Sequence, residues 1–147
     1  MEKTRANLNR IEEAGIRDKL CVLVTTGAMN PVHRGHVHML SAARTTIEAE
    51  GWHVLAGFIS PSHELYVKPK CERFKTPYMS TSDRLELVRL AVQDSDWLDA
   101  GAWESSPTHA RWPDFGPTVE NLAKAIEVPP KYHVHCFYVC GLDHFQK

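Results

Sequence analysis

The sequence predicts an open, parallel α/β sheet with helices on both of its faces. Apolar runs recur over residues 20–24, 52–59, 97–103 and 133–140. Between them lie stretches with the periodicity for helices of about a dozen residues. The residues able to do chemistry collect just after the runs, where a right-handed parallel sheet presents ligands at the carboxyl ends of its strands.

Taken in order, residues 3–17 place Leu8, Ile11 and Ala14 on one side of a short polar helix that Gly15 ends, a lid or a packing helix. Residues 1–19 are read as a helical extension and 20–147 as the domain proper. The first strand, 20–24, is rich in β-branched residues and stops at Thr25-Thr26-Gly27. A helix with apolar Val37, Leu40 and Ile47 begins near Gly35 and runs to about Glu50, with Gly51 as its stop. A second buried strand covers 52–59. Residues 60–79 carry three prolines together with Lys68, Lys70, Arg73 and Lys75, and read as a long surface loop, functional or simply solvated. Ser80-Thr81-Ser82-Asp83 starts the next helix, with Leu85, Val88, Ala91 and Val92 as its apolar face. A third strand over 97–103 is interrupted by Gly101 and ends in Trp103-Glu104-Ser105. After a second loop, Pro117 opens a helix with Val119, Leu122, Ala123 and Ile126 on one side, closed by Pro129-Pro130. The fourth strand, 133–140, reaches Gly141-Leu142-Asp143.

At 147 residues, 43% hydrophobic and 24% charged, the chain can bury a continuous core. Its 17 basic and 18 acidic side chains leave a net charge of −1, so no general attraction to nucleic acid or membrane is expected and any anion site must be local. The charged N-terminus has no apolar core of a secretory signal, and no apolar run is long enough to span a bilayer; the expected compartment is the cytoplasm, with the nucleus also open. Cys21, Cys71, Cys136 and Cys140 form no CxxC pair, and three of them lie in apolar strand-like runs, as reduced cysteines do. No protein-held metal is expected despite nine histidines.

The turn after the first strand carries the chemistry. Unpaired backbone N–H groups and the positive end of a helix dipole favour a phosphate there, and Gly27 and Gly35 let it approach the backbone. His33 and His36, three residues apart, add donors that follow charge on a reacting phosphate; the bland alternative is that they only cap the helix. No Gly-Lys-Ser/Thr follows, so this is not a P-loop.

At His33-Arg34-Gly35-His36 the chain resembles the nucleotidylyltransferase superfamily, whose signature after the first strand is His or Thr, any residue, Gly, His. Gly27-Ala28-Met29-Asn30-Pro31 is similar to the Gly-Ser-Phe-Asn-Pro of the nicotinamide-mononucleotide adenylyltransferases. The resemblance implies a Rossmann-like nucleotidylyltransferase fold and direct attack by the 5′-phosphate of a mononucleotide on the α-phosphorus of ATP. Mg²⁺ would assist, NAD and pyrophosphate would form, and no covalent enzyme intermediate would be needed. Carried over, His36 and His33 are the catalytic pair, and Gly27, Ala28, His33, His36, Gly141 and Asp143 line the ATP site, the last pair within Cys140-Gly141-Leu142-Asp143. Trp103 would stack on the nicotinamide ring, unless it is a strand-end core residue. Ile59-Ser60-Pro61 and Tyr66 also match; the phosphate-binding lysine that follows in those enzymes is Val67 here, so Lys68 takes the role. The resemblance starts near Leu20 and covers the first part of the family fold; the later Ile-Ser-Ser/Thr-Thr-x-x-Arg motif, which those enzymes carry beyond the Gly-x-Asp stretch, does not occur before Lys147, and poor turnover by residues 1–147 follows as an expectation. Other phosphorylated acceptors (nicotinate mononucleotide, phosphopantetheine), a non-catalytic nucleotide-binding role and self-association stay open.

Overall fold

A computed structural model describes residues 2–111, 113–126 and 128–141. The order is α1 (Glu2–Glu13), β1 (Leu20–Gly27), α2 (Arg34–Ala49), β2 (His53–Pro61), α3 (Glu64–Phe74), α4 (Thr81–Val92), β3 (Leu98–Ala100), α5 (Phe115–Ala125) and β4 (Val134–Tyr138). All strand pairs are parallel, in the order β3-β2-β1-β4. The chain winds outward from β1 to β3, then returns to the other side of β1, so the switch in direction falls between β1 and β4.

Alternation along β1 explains why both faces are covered. Cys21 and Leu23 meet Leu40 of α2 and Val88 and Val92 of α4. Leu20, Val22 and Val24 meet Leu8 of α1 and Leu122 of α5. A strand buried on both sides needs apolar residues at every position, and residues 20–24 supply them. Successive partners on β2 skip Leu55, which shifts the register between Cys21 and Val22. Where β2 meets β3, Gly57 leaves room for Trp97: a Cβ there would lie 2.7 Å from the indole Cζ3.

The N-terminal helix packs beneath the sheet through Leu8, and Lys3 donates from Nζ to the carbonyls of Val92 and Leu98 at 2.9 and 2.7 Å. The thiol of Cys21 is buried and pushed up to about 12, chiefly by desolvation, which keeps it protonated and inert; all four cysteines are free. Two expected boundaries move. The third strand is only Leu98–Ala100; the Gly101 N–H still donates to Ile59 O at 2.9 Å, beside the Ser60 side chain, and the chain then leaves the sheet. The fifth helix starts at Phe115, so Pro117 sits inside its first turn, where its missing N–H costs nothing.

One expectation is overturned: residues 60–79 are not a long loop. Ser60 and Pro61 finish β2, and α3 occupies Glu64–Phe74 with Pro69 inside it. His63 caps this helix, its Nδ1 accepting from the Leu65 N–H at 3.1 Å. Val67 and Cys71, four residues apart, bury one side of it. Lys75, at φ 54°, closes it in a left-handed conformation. Pro69 lies on the opposite, exposed face. The single buried pair was hidden among prolines and charges.

In α4 the expected face is partly replaced. Val88 and Val92 are buried, but the third buried residue is Arg84, at 0% exposure, whereas Ala91 is exposed. Its guanidinium donates from Nη1 to the carbonyls of Ala28 and Ser62, both at 2.8 Å, from Nε to Met79 O at 3.1 Å and from Nη2 to Thr81 Oγ1 at 3.2 Å. One side chain thereby joins the turns after β1 and β2 to the start of α4.

Two stability measurements test this description. Pro69→Ala should stabilise the protein by about 1–3 kcal/mol in denaturant titration, because an interior helix proline is penalised; a loss of about 0.4–1 kcal/mol would instead fit a loop. Arg84→Met should destabilise by more than about 3 kcal/mol, since several carbonyls lose their donors in the interior. Unchanged stability would refute the clamp.

Candidate functional site

A cleft of about 620 Å³, within the range of small-molecule sites, opens at the carboxyl ends of the strands. It lies at the switch in strand direction. Its walls bring together most of the residues singled out in the sequence: Gly27 and Ala28 after β1, His33 and His36 at the start of α2, and Gly141 after β4. Asp143 lies outside the described residues.

The histidines form a reciprocal cap. His33, extended at φ −139° and ψ 175°, is the N-cap of α2, and its Nδ1 accepts from the Gly35 N–H at 3.0 Å. The His33 N–H donates in turn to Nδ1 of His36 at 3.0 Å. The rings stack with centroids 3.8 Å apart. Because each Nδ1 accepts, each neutral ring carries its proton on Nε2, the donor left for the cleft. Gly35 is required by this packing, since a Cβ would come within 2.8 Å of His33 Cε1. Capping and facing the cleft, weighed as alternatives for these residues, coexist.

The cap also changes the expected source of phosphate affinity. The N–H groups of His33, Gly35 and His36 are occupied, the last by His33 O at 3.1 Å. What a ligand meets is the imidazole pair at the positive end of the helix dipole. Burial first, and the adjacent His33 ring second, push His36 below its ordinary range, so it is neutral at physiological pH.

Across the cleft stand Ser62, His63, Tyr66, Lys70 and Glu104. The lysine that reaches this wall is Lys70. Lys68 lies on the exposed side of α3, its Nζ 6.0 Å from the centre of the Tyr78 ring, and is not a lining residue. Two residues along a helix turn by about 200°, so the two lysines face apart. Trp103 is half-buried, edge-on to His109 at 4.6 Å, with His109 Nε2 2.8 Å from its carbonyl oxygen; it too is not a lining residue. Its neighbour Glu104 is the residue that faces the cleft.

Glu104, 7% exposed, accepts from Ser60 Oγ at 2.8 Å. Desolvation pushes its carboxyl up to about 7, against the opposing pull of the Ser60 and Ser62 hydroxyls and the Arg84 charge. Sequence reading passed over Glu104 beside the more conspicuous indole, and over Arg84 because a basic residue in an amphipathic helix normally marks the solvent face. Among the described residues, no three His, Cys, Asp or Glu side chains converge as a metal site, and no helix is long and apolar enough to cross a membrane.

Comparison with known proteins adds a family. The nicotinamide/nicotinic acid mononucleotide adenylyltransferase 2 of Danio rerio is 36% identical over 84 residues, which cover 56% of this chain and 25% of that protein. The nicotinamide/nicotinic acid mononucleotide adenylyltransferase of Arabidopsis thaliana is 36% identical over 93 residues, 63% of this chain and 36% of that one. A Caenorhabditis elegans relative bearing the same name as the Danio protein is 31% identical over 90 residues, 61% and 38% of the two chains. The match therefore spans well under half the length of each relative. A family model described as cytidylyltransferase-like covers residues 24–147, from within β1 through the histidine turn and every wall of the cleft, and the chain belongs to that cytidylyltransferase-like family.

Proposed function

We propose that the cleft transfers the adenylyl group of ATP to the 5′-phosphate of a pyridine mononucleotide, nicotinamide mononucleotide in the first instance, forming NAD and pyrophosphate. The observation that carries this reading is the stacked His33–His36 pair at the N-terminus of α2, at the point where strand direction switches. The relatives' names supply the acceptor.

In this proposal an acceptor phosphate oxygen attacks the α-phosphorus of ATP, and the bond from that phosphorus to the bridging oxygen of the β-phosphate breaks. No side chain forms a covalent bond, so the protein's work is positioning and charge stabilisation. The Nε2–H groups of His33 and His36 donate to oxygens of the reacting phosphates, with Gly27 and Ala28 bordering the phosphate chain. Gly141 borders the adenosine at the β4 end. Mg²⁺ arrives on the ATP phosphates as part of the substrate and needs no protein cage. Lys70, in place of Lys68, offers its charge to the acceptor's phosphate, and Trp103 is assigned to the neighbourhood of the acceptor ring beside Glu104.

Incubating the chain with Mg–ATP and nicotinamide mononucleotide and following dinucleotide formation tests the reading directly; nucleotide binding without turnover would favour a non-catalytic role. His36→Ala should lower kcat by roughly 10²- to 10³-fold, as for loss of a transition-state donor. A near-parental kcat would remove the imidazole pair from the mechanism. Lys70→Ala should raise KM for the mononucleotide by at least roughly tenfold while Lys68→Ala leaves it unchanged, the loss of one charge-assisted contact. The opposite pattern would return the role to Lys68.

A further inference from the structure

The strand order divides the cleft. Gly141 follows β4, the histidine turn follows the adjacent β1, and Ser62 and Glu104 follow β2 and β3 on the far side. With adenosine at the β4 end and the reacting phosphates over β1, the acceptor's ring falls to the β2–β3 end. The buried acid on that wall is Glu104. We propose that the Glu104 carboxyl reads the substituent on the acceptor's ring, accepting from an uncharged carboxamide when ionised and donating to a carboxylate when protonated, and so sets the preference between amide and acid acceptors as pH changes. This inference rests on the adenylyl-transfer reading.

The chemistry follows from which hydrogen bonds each form can make. An ionised carboxyl only accepts: it matches the N–H donors of an amide and repels a carboxylate. A protonated one has an O–H to offer an anion. Glu104 changes between them near neutrality, because burial pushes it up to about 7.

Its surroundings leave it that freedom. The only guanidinium near it, among the described residues, is that of Arg84, whose N–H groups are engaged by Ala28, Ser62, Met79 and Thr81; it acts on Glu104 through space and not as an ion-pair partner. Ser60 at the end of β2 donates to Oε1 and favours ionisation without supplying charge. Tyr138 from β4 is pushed up, mainly by burial, and stays neutral throughout the working range. The remaining titratable or charged groups on the walls are Tyr66 and Lys70 of α3, His63 at its cap, Asp114 at the cap of α5, Cys140 and the His33–His36 pair; the part of the ratio's pH dependence that belongs to Glu104 is the part that Glu104→Gln removes.

The experiment measures kcat/KM for nicotinamide and nicotinate mononucleotides between pH 6 and 8.5, with calorimetric binding of each as a parallel readout. The amide-to-acid ratio should fall roughly five- to tenfold from pH 8.5 to 6, the size expected when one charge is neutralised. Glu104→Gln should hold the ratio constant across pH. Ser60→Ala, which removes a donor to the ionised form, should move the midpoint to higher pH, and covers the case in which the first variant misfolds. A separate readout needs no ligand. The unfolded carboxyl ionises near its ordinary value and the folded one only near 7, so the parent's Tm should fall relative to Glu104→Gln as pH rises from 5 to 8. A pH-independent ratio in the parent, a slope that survives in Glu104→Gln, or a Tm difference that does not change with pH would overturn the proposal. If neither mononucleotide binds at any pH, the adenylyl-transfer reading falls and takes this one with it; binding with a flat ratio overturns this one alone.

Discussion

The carboxyl end of this sheet depends on one buried cation. Parallel strands end in turns that the ladder supports only sparsely: the Ser62 N–H donates to Gly27 O at 2.8 Å and the Gly101 N–H to Ile59 O at 2.9 Å. Arg84 supplies the support, fastening the carbonyls of Ala28, Ser62 and Met79 from the start of α4. A guanidinium suits the task because its donors radiate in one plane and it stays charged when desolvated. Asn30 adds a second tie, donating to Pro77 O at 2.7 Å and accepting from the Met79 N–H at 2.8 Å. These ties brace the base of the cleft, although it is built from turns.

Much of the architecture was legible because buried parallel strands leave a simple trace. Residues 20–24 had to be apolar on both faces, and the buried run of β2 repeats the signal. The histidine turn was equally visible, since a glycine between two imidazoles at the end of such a strand has few other uses. Both signals are local. What stayed hidden depends on contacts between distant residues. A helix with one buried pair and an internal proline, as in α3, has almost no periodicity to detect, and so Lys70 and Lys68 could not be told apart until their helix was known. Arg84 and Glu104 are polar residues whose burial is decided by partners 56 and 44 positions away, Ala28 and Ser60.

The two walls of the cleft differ in kind. The α2 wall presents two stacked imidazoles held by a cap, His36 pushed below its ordinary range chiefly by burial. The opposite wall carries Lys70 and a carboxyl poised near neutrality. An arrangement of this sort lets one side hold phosphate oxygens through direction and the other respond to the charge of what it meets.

The reciprocal cap of His33 and His36 has a consequence for acid conditions. Each Nδ1 is an acceptor in the hydrogen bonds that begin α2, and a protonated imidazole cannot accept. Charging either ring therefore breaks the hydrogen bond that its Nδ1 accepts, while the backbone bond from the His36 N–H to His33 O, which also begins the helix, does not depend on either ring. Protonation and the reciprocal cap are thus alternatives: a cationic pair gains charge for an anion and loses the side-chain bonds that aim its rings.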